Sequence, residues 1–163
     1  MEPLKHSEAD RRTVEAQLGR PLRGDWAVAR RCHLGVPMAI ENHPRLEDGA
    51  PFPTLFWLTC PVLTRRVSRL EGAGYMVELN DELARDDTRR GRMAEAISRY
   101  RARRDAHSPI EDSGAPPGGG ADRIKCLHAH LAHELACPPN PAGAAALATA
   151  GWPDCRTPCV GQA

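Results

Sequence analysis

The stretch DWAVARRCHLGVPMAIEN, residues 25–42, carries two apolar, extended runs around a turn-like His-Leu-Gly, and it reads as a β-hairpin or two strands with Cys32 closing the first. TLFWLTC, residues 54–60, is the most strand-like apolar run of the chain. It predicts a third strand, central in the sheet and buried on both faces. After Cys60 the punctuation becomes helical. Pro61 suits a first helical turn, Val62, Leu63, Val67 and Leu70 form an apolar stripe, and Gly72 and Gly74 stop it. Consecutive strands followed by consecutive helices argue for the α+β class. The expected architecture is a small, mostly antiparallel sheet over Trp26–Cys60 with helices packed on one face.

Outward from that centre, Ser7 and Asp10 give a capping pattern ahead of Val14 and Leu18, which predicts a short peripheral helix before Gly19. Residues 1–24 are therefore read as an N-terminal helical extension and residues 25–163 as one compact α+β domain. Val77 to Arg104 is mostly charged, with apolar positions at Leu79, Leu83, Met93, Ile97 and Tyr100, and predicts one long or two shorter helices broken near Gly91. HSPIEDSGAPPGGGA, residues 107–121, has the composition of a flexible linker. Asn140-Pro141 opens a small alanine-rich helix to Ala150, and Cys155 and Cys159 fall in a proline-containing tail.

Charge is balanced, with 22 Lys+Arg against 21 Asp+Glu in 163 residues, so no whole-molecule field calls for nucleic acid or an anionic membrane. Only Lys5 and Lys125 are lysines. Seven arginines lie between Arg89 and Arg104; a solvated helix face is the plainer reading, and contact with RNA phosphates the sharper one. The polar N-terminus and the absence of a long apolar window argue against a signal peptide or membrane span and for a cytoplasmic protein. In a reducing compartment, six cysteines read as metal-binding or catalytic before they read as disulfides.

The chemistry concentrates in ADRIKCLHAHLAHELAC, residues 121–137, read as a helix capped by Asp122. At 100° per residue, Cys126, His130, His133 and Cys137 fall within a stripe about 60° wide, roughly opposite Ile124, Leu127, Leu131 and Leu135. Cys126 and His130 make a helical i, i+4 pair able to share one ion, whereas Cys126 and His133 are separated by about 10.5 Å of rise. The remaining ligands must come from elsewhere, with Cys32, Cys60 and Cys159 as first candidates and Cys155, His128 and His133 behind them. His128, at the edge of the leucine stripe, is placed as a supporting hydrogen bonder. Cys137, interrupted by Pro138, ends the helix. Three or four separate thiolates and a Cys60-Pro61 step suit an iron-sulfur cluster; mixed Cys and His ligation suits zinc, which is slightly preferred. Two further features point to catalysis. Cys60 stands where a strand feeds a helix, a position that favours thiolate. The loop ENHPRLEDGAPFP, residues 41–53, offers Glu41, His43, Glu47 and Asp48, of which Glu41 or Asp48 is the candidate general base.

Taken together, RCHLGVP, ENHPRLEDGAPFPTLFWLTCP, VSRLE, DRIKCLHAHLAH, NP with a following Gly, and the terminal PCV resemble the bacterial family known as domain of unknown function 501. The resemblance runs from about Val28 to Val160. It implies a single-domain cytoplasmic bacterial protein and no reaction. It also groups Cys32, Cys60, Cys126, His128, His130 and Cys159 in matching stretches.

Three functional readings follow. The first is a protein binding zinc or an iron-sulfur cluster through the KCLHAHLAH helix. The second is a thiol- or metal-dependent enzyme with the Glu41–Asp48 loop at its active site. The third is a small RNA- or protein-binding module with structural cysteines. Partner and oligomeric state are not legible in the sequence.

Overall fold

The strand Pro37–Asn42 (β2) is the one the molecule is laid upon, and all six of its residues are buried. It pairs antiparallel with Trp26–Arg31 (β1) on one side and with Phe56–Leu58 (β3) on the other, so the sheet order is β1-β2-β3. The structure is a computed structural model, and it describes residues 4–52, 54–110, 116 and 118–160. Among the described residues, six helices accompany the sheet: Glu8–Leu18 (α1), Pro61–Gly72 (α2), Tyr75–Arg85 (α3), Asp87–His107 (α4), Leu127–Ala136 (α5) and Pro141–Ala150 (α6). The class is α+β. Among the described residues, no helix is long and apolar enough to cross a membrane.

The run TLFWLTC, expected at the centre of the sheet, supplies instead a three-residue edge strand. Its backbone has other partners at both ends. The Leu55 amide donates to the Tyr100 hydroxyl at 2.7 Å, and the Thr59 and Cys60 amides both turn to the Met38 carbonyl, at 3.0 and 3.3 Å. Register places Ala39 opposite Leu58 and Glu41 opposite Phe56 on one face, and Ile40 opposite Trp57 on the other. Helices cover both faces, not one. Leu127 and Leu131 of α5, with Leu63, Val67, Leu79, Leu83 and Met93, close a core around Ala39, while Val14 of α1 packs with Trp26 and Ile40 on the far side.

Two helix boundaries differ from the sequence reading. The break expected near Gly91 falls at Asp86, whose extended backbone (φ −125°, ψ 99°) and carboxylate, accepting from the Arg89 amide at 3.0 Å, start α4. A glycine on an exposed helical face costs only about 1 kcal/mol, which a helix of 21 residues tolerates. Likewise α5 starts at Leu127 with Cys126 as N-cap, not at Asp122. Ahead of it Ile124 is held extended: its amide donates to Asn80 Oδ1 at 2.8 Å, its carbonyl accepts from Asn80 Nδ2 at 3.0 Å, and it bridges to Gly119. Gly119 has φ +107°, and a Cβ there would stand 2.0 Å from the Arg123 carbonyl oxygen, so this crossing requires glycine. Of the linker expected over 107–121, residues 111–115 and 117 lie outside the described residues.

Gly143 sets the approach of α6 to α5. A Cβ on it would lie 2.1 Å from the His130 carbonyl oxygen and 2.6 Å from Glu134 Cβ. Gly143→Ala is therefore expected to destabilise the fold by about 3 kcal/mol through forced separation of the helices, although glycine to alanine in a helix ordinarily stabilises by about 1 kcal/mol. Urea unfolding measures it, and a midpoint unchanged or raised contradicts the close contact.

Candidate functional site

Glu71 ends α2, and Cys126 and His128 begin α5, so packing these two helices brings a carboxylate, a thiol and an imidazole together. One donor atom from each lies within 4.8 Å of the other two. Glu71 Oε1 is fixed by accepting from the Leu127 amide at 2.7 Å and lies 3.3 Å from His128 Nδ1. On the other side of the ring, His128 Nε2 is 3.2 Å from both the Thr64 carbonyl and Ser68 Oγ. Because Ser68 Oγ already donates to that carbonyl, at 2.9 Å, both neighbours of Nε2 are acceptors, and Nε2 carries a proton. The other ring nitrogen, Nδ1, is the one aimed at Glu71.

The electrostatics follow from the same geometry. Hydrogen bonding to the Cys126 thiol, helped by the Glu71 carboxylate and the Thr64 carbonyl, raises His128 to about 9 against the opposing effect of burial. In turn His128, then the Ala129 amide, holds Cys126 below the usual thiol range. A thiol held low beside a raised imidazole at a helix N-terminus is the arrangement expected where a thiol is to react or to bind a metal. The pair opens on a cleft of about 250 Å³ between β3 and α5, lined by Thr54, Phe56, Trp57 and Leu58 with Cys126 and His128.

The other sequence candidates go elsewhere. His130 and His133 are buried, each 2 % exposed. The Asn140 amide nitrogen donates to Nδ1 of both, at 3.0 and 2.9 Å, and His130 Nε2 donates to the Gly118 carbonyl at 2.9 Å. Both nitrogens of His130 are thus engaged, and the expected i, i+4 pair with Cys126 does not form, because Cys126 precedes the helix and His130 faces the interior. Desolvation lowers both imidazoles, His133 to about 4.

Glu41 is buried too. Burial alone would push its carboxyl up, but bidentate pairing with Arg103 at 2.7 Å and a 2.9 Å contact with His107 hold it below the ordinary range. A carboxylate so paired is a poor proton acceptor, which corrects its reading as a general base. Asp48 is exposed and accepts from the Ala50 amide in a turn. Arg45 fastens this loop to the end of α4, at Ser108 and Pro109.

Cys60 does cap α2, yet burial drives its thiol up and outweighs the Leu63 and Val62 amides, contrary to the thiolate expected there. Cys137 is the C-cap of α5 beside Arg103. On the arginine-rich α4, Arg103 is spent on Glu41, Arg99 on the Pro139 carbonyl, and Arg89 and Arg90 on Glu82 and Asp87.

Sequence reasoning missed Glu71 and Ser68 and ranked His128 low. Glu71 and Ser68 both lie in VSRLE, one of the stretches carrying the family resemblance, and that was the available signal. A family model described as "Protein of unknown function (DUF501)" matches residues 28–148. No curated protein and no solved structure matches the chain.

Proposed function

The chain belongs to DUF501, a family defined without a function, so its chemistry rests on its own side chains, and we propose that it binds a zinc ion through Glu71, Cys126 and His128. The observation carrying this reading is the convergence of three different donor atoms within 4.8 Å. Tetrahedral zinc with bonds of about 2.0–2.3 Å needs its ligands roughly 3.3–3.8 Å apart, so only a small closure is required. A set with one thiolate, one imidazole and one carboxylate suits zinc and offers too few thiolates for an iron-sulfur cluster. His128 arrives already oriented, since its outer N–H is held by Thr64 and Ser68 while Nδ1 faces the other ligands.

Three protein ligands leave a fourth position, and the cleft beside Cys126 and His128 gives it access to small molecules. Zinc there would supply a bound water of lowered pKa, the chemistry of hydrolytic metal sites. A second reading, in which Cys126 is itself a nucleophile, is favoured by the elevated His128 beside it.

Competitive titration with zinc separates the two. The zinc reading expects at least 100-fold weaker binding in Cys126→Ala and His128→Ala. Ser68→Ala is expected to lose 10- to 100-fold, as outer partners of metal-bound histidines do. Full zinc affinity in Cys126→Ala, with rapid iodoacetamide labelling of Cys126 in the zinc-saturated protein, would overturn it in favour of the nucleophile.

A further inference from the structure

Four cysteines that take no part in that site are gathered around one short arm of the hairpin. Cys32 ends the β1 side, and its amide donates to the Val36 carbonyl at 2.9 Å. Cys60 reaches the same arm two residues on, through the Met38 carbonyl. Gln17 Nε2 bridges Pro37 and the tail, donating to the Pro37 carbonyl at 2.7 Å and to Cys159 Sγ at 3.7 Å. His33, next to Cys32, contacts the Cys155 carbonyl through Nε2 at 2.7 Å. Each cysteine is therefore tied to the segment His33–Met38.

The tail is also clamped against α2, the helix that Cys60 caps. Arg66 donates to the carbonyls of Ala150 and Gly151 at 3.2 and 3.1 Å and pairs with Asp154 at 3.1 Å, one residue before Cys155. Such fastening is unexpected for a polar tail with no regular secondary structure. The Cys155 and Cys159 side chains each lie within electrostatic reach of the buried Cys60 sulfur.

We infer that Cys32, Cys60, Cys155 and Cys159 are the ligands of a second, all-thiolate metal centre that takes an iron-sulfur cluster and pins the C-terminal tail to the hairpin and α2. A thiophilic centre would bind all four as thiolates, displacing their protons, and its positive charge would offset the cost of burying Cys60 as an anion. A set of four thiols with no imidazole among them suits a cluster bound by four cysteines. The Cys60-Pro61 step fits the same assignment.

The test is iron, acid-labile sulfide and zinc content, with the visible spectrum, of full-length protein from iron-supplemented cells purified without oxygen. Iron and sulfide in equal amounts are expected in the wild type. Cys159→Ser alters an exposed tail residue and leaves the core intact; it is expected to lose at least tenfold of the iron while keeping the circular dichroism of the fold. Cys126→Ala, which removes a ligand of the other site, is expected to keep its iron. Zinc in place of iron, lost with Cys159→Ser, would overturn the cluster. A wild type without iron or zinc at these thiols, or iron unchanged in Cys159→Ser, would overturn the site.

Discussion

Asn140→Ala is expected to lower the unfolding free energy by about 4 kcal/mol, a large part of what a domain of this size possesses. The residue is fully buried and serves three partners with one amide. Its oxygen accepts from the Gly143 amide at 2.9 Å and caps α6, a contribution of about 1 kcal/mol. Its nitrogen serves Nδ1 of His130 and His133, and stranding two buried acceptors costs about 1–3 kcal/mol each. Asn140→Asp discriminates between these roles. The cap survives, but a carboxylate oxygen then faces two imidazole lone pairs, so the variant is expected to regain stability as the medium is acidified and an imidazole takes up a proton. Urea titrations at pH 7.5 and 5.5 measure it. A loss of only about 1 kcal/mol in the alanine variant would reduce Asn140 to a helix cap.

Acid is expected to unfold the protein well above the pH at which its carboxylates titrate. His133 is about 4 in the fold against about 6.5 in an unfolded chain. A base whose folded value is depressed contributes stability that is complete above 6.5 and is lost as pH falls from 6.5 through 4. The 2.5-unit difference corresponds to roughly 3 kcal/mol. His130, lowered by its own burial, acts in the same direction. Glu41, held low by Arg103 and His107, adds its loss only at more acid pH. Stability measured in urea should thus fall steeply between pH 6.5 and 4.5, and His133→Phe should flatten that slope, the ring fitting beside Phe56 and Tyr100. A slope unchanged by His133→Phe would place the acid sensitivity elsewhere.

The fold class, the hairpin, the Ser7 capping box, the Cys60 cap and the Asn140 start of α6 were legible because each rests on local chemistry: a turn, a cap, an alternation. What was not legible depended on partners distant in sequence. Whether TLFWLTC lies at the centre or the edge of the sheet is decided by Tyr100 and Met38. The start of α5 is decided by Asn80, which holds Ile124 extended, and a helical wheel begun at Asp122 consequently gave Cys126 the wrong neighbour. His130 and His133 show the same limit, since a histidine stripe looks alike whether it faces a metal or an asparagine. Glu71 enters the site only through α2–α5 packing, which periodicity does not encode.

The most direct test of the zinc assignment is the zinc content of protein produced in zinc-supplemented medium, purified without chelators, and compared with the Cys126→Ala, His128→Ala double variant. A Cys60→Ser, Cys159→Ser background keeps the centre proposed at Cys32, Cys60, Cys155 and Cys159 from contributing. The account predicts close to one zinc per chain in that background and less than a tenth of that in the added double variant, with the helical fold retained in both. Zinc retained after Cys126 and His128 are removed, or a folded background protein that holds none, would contradict it.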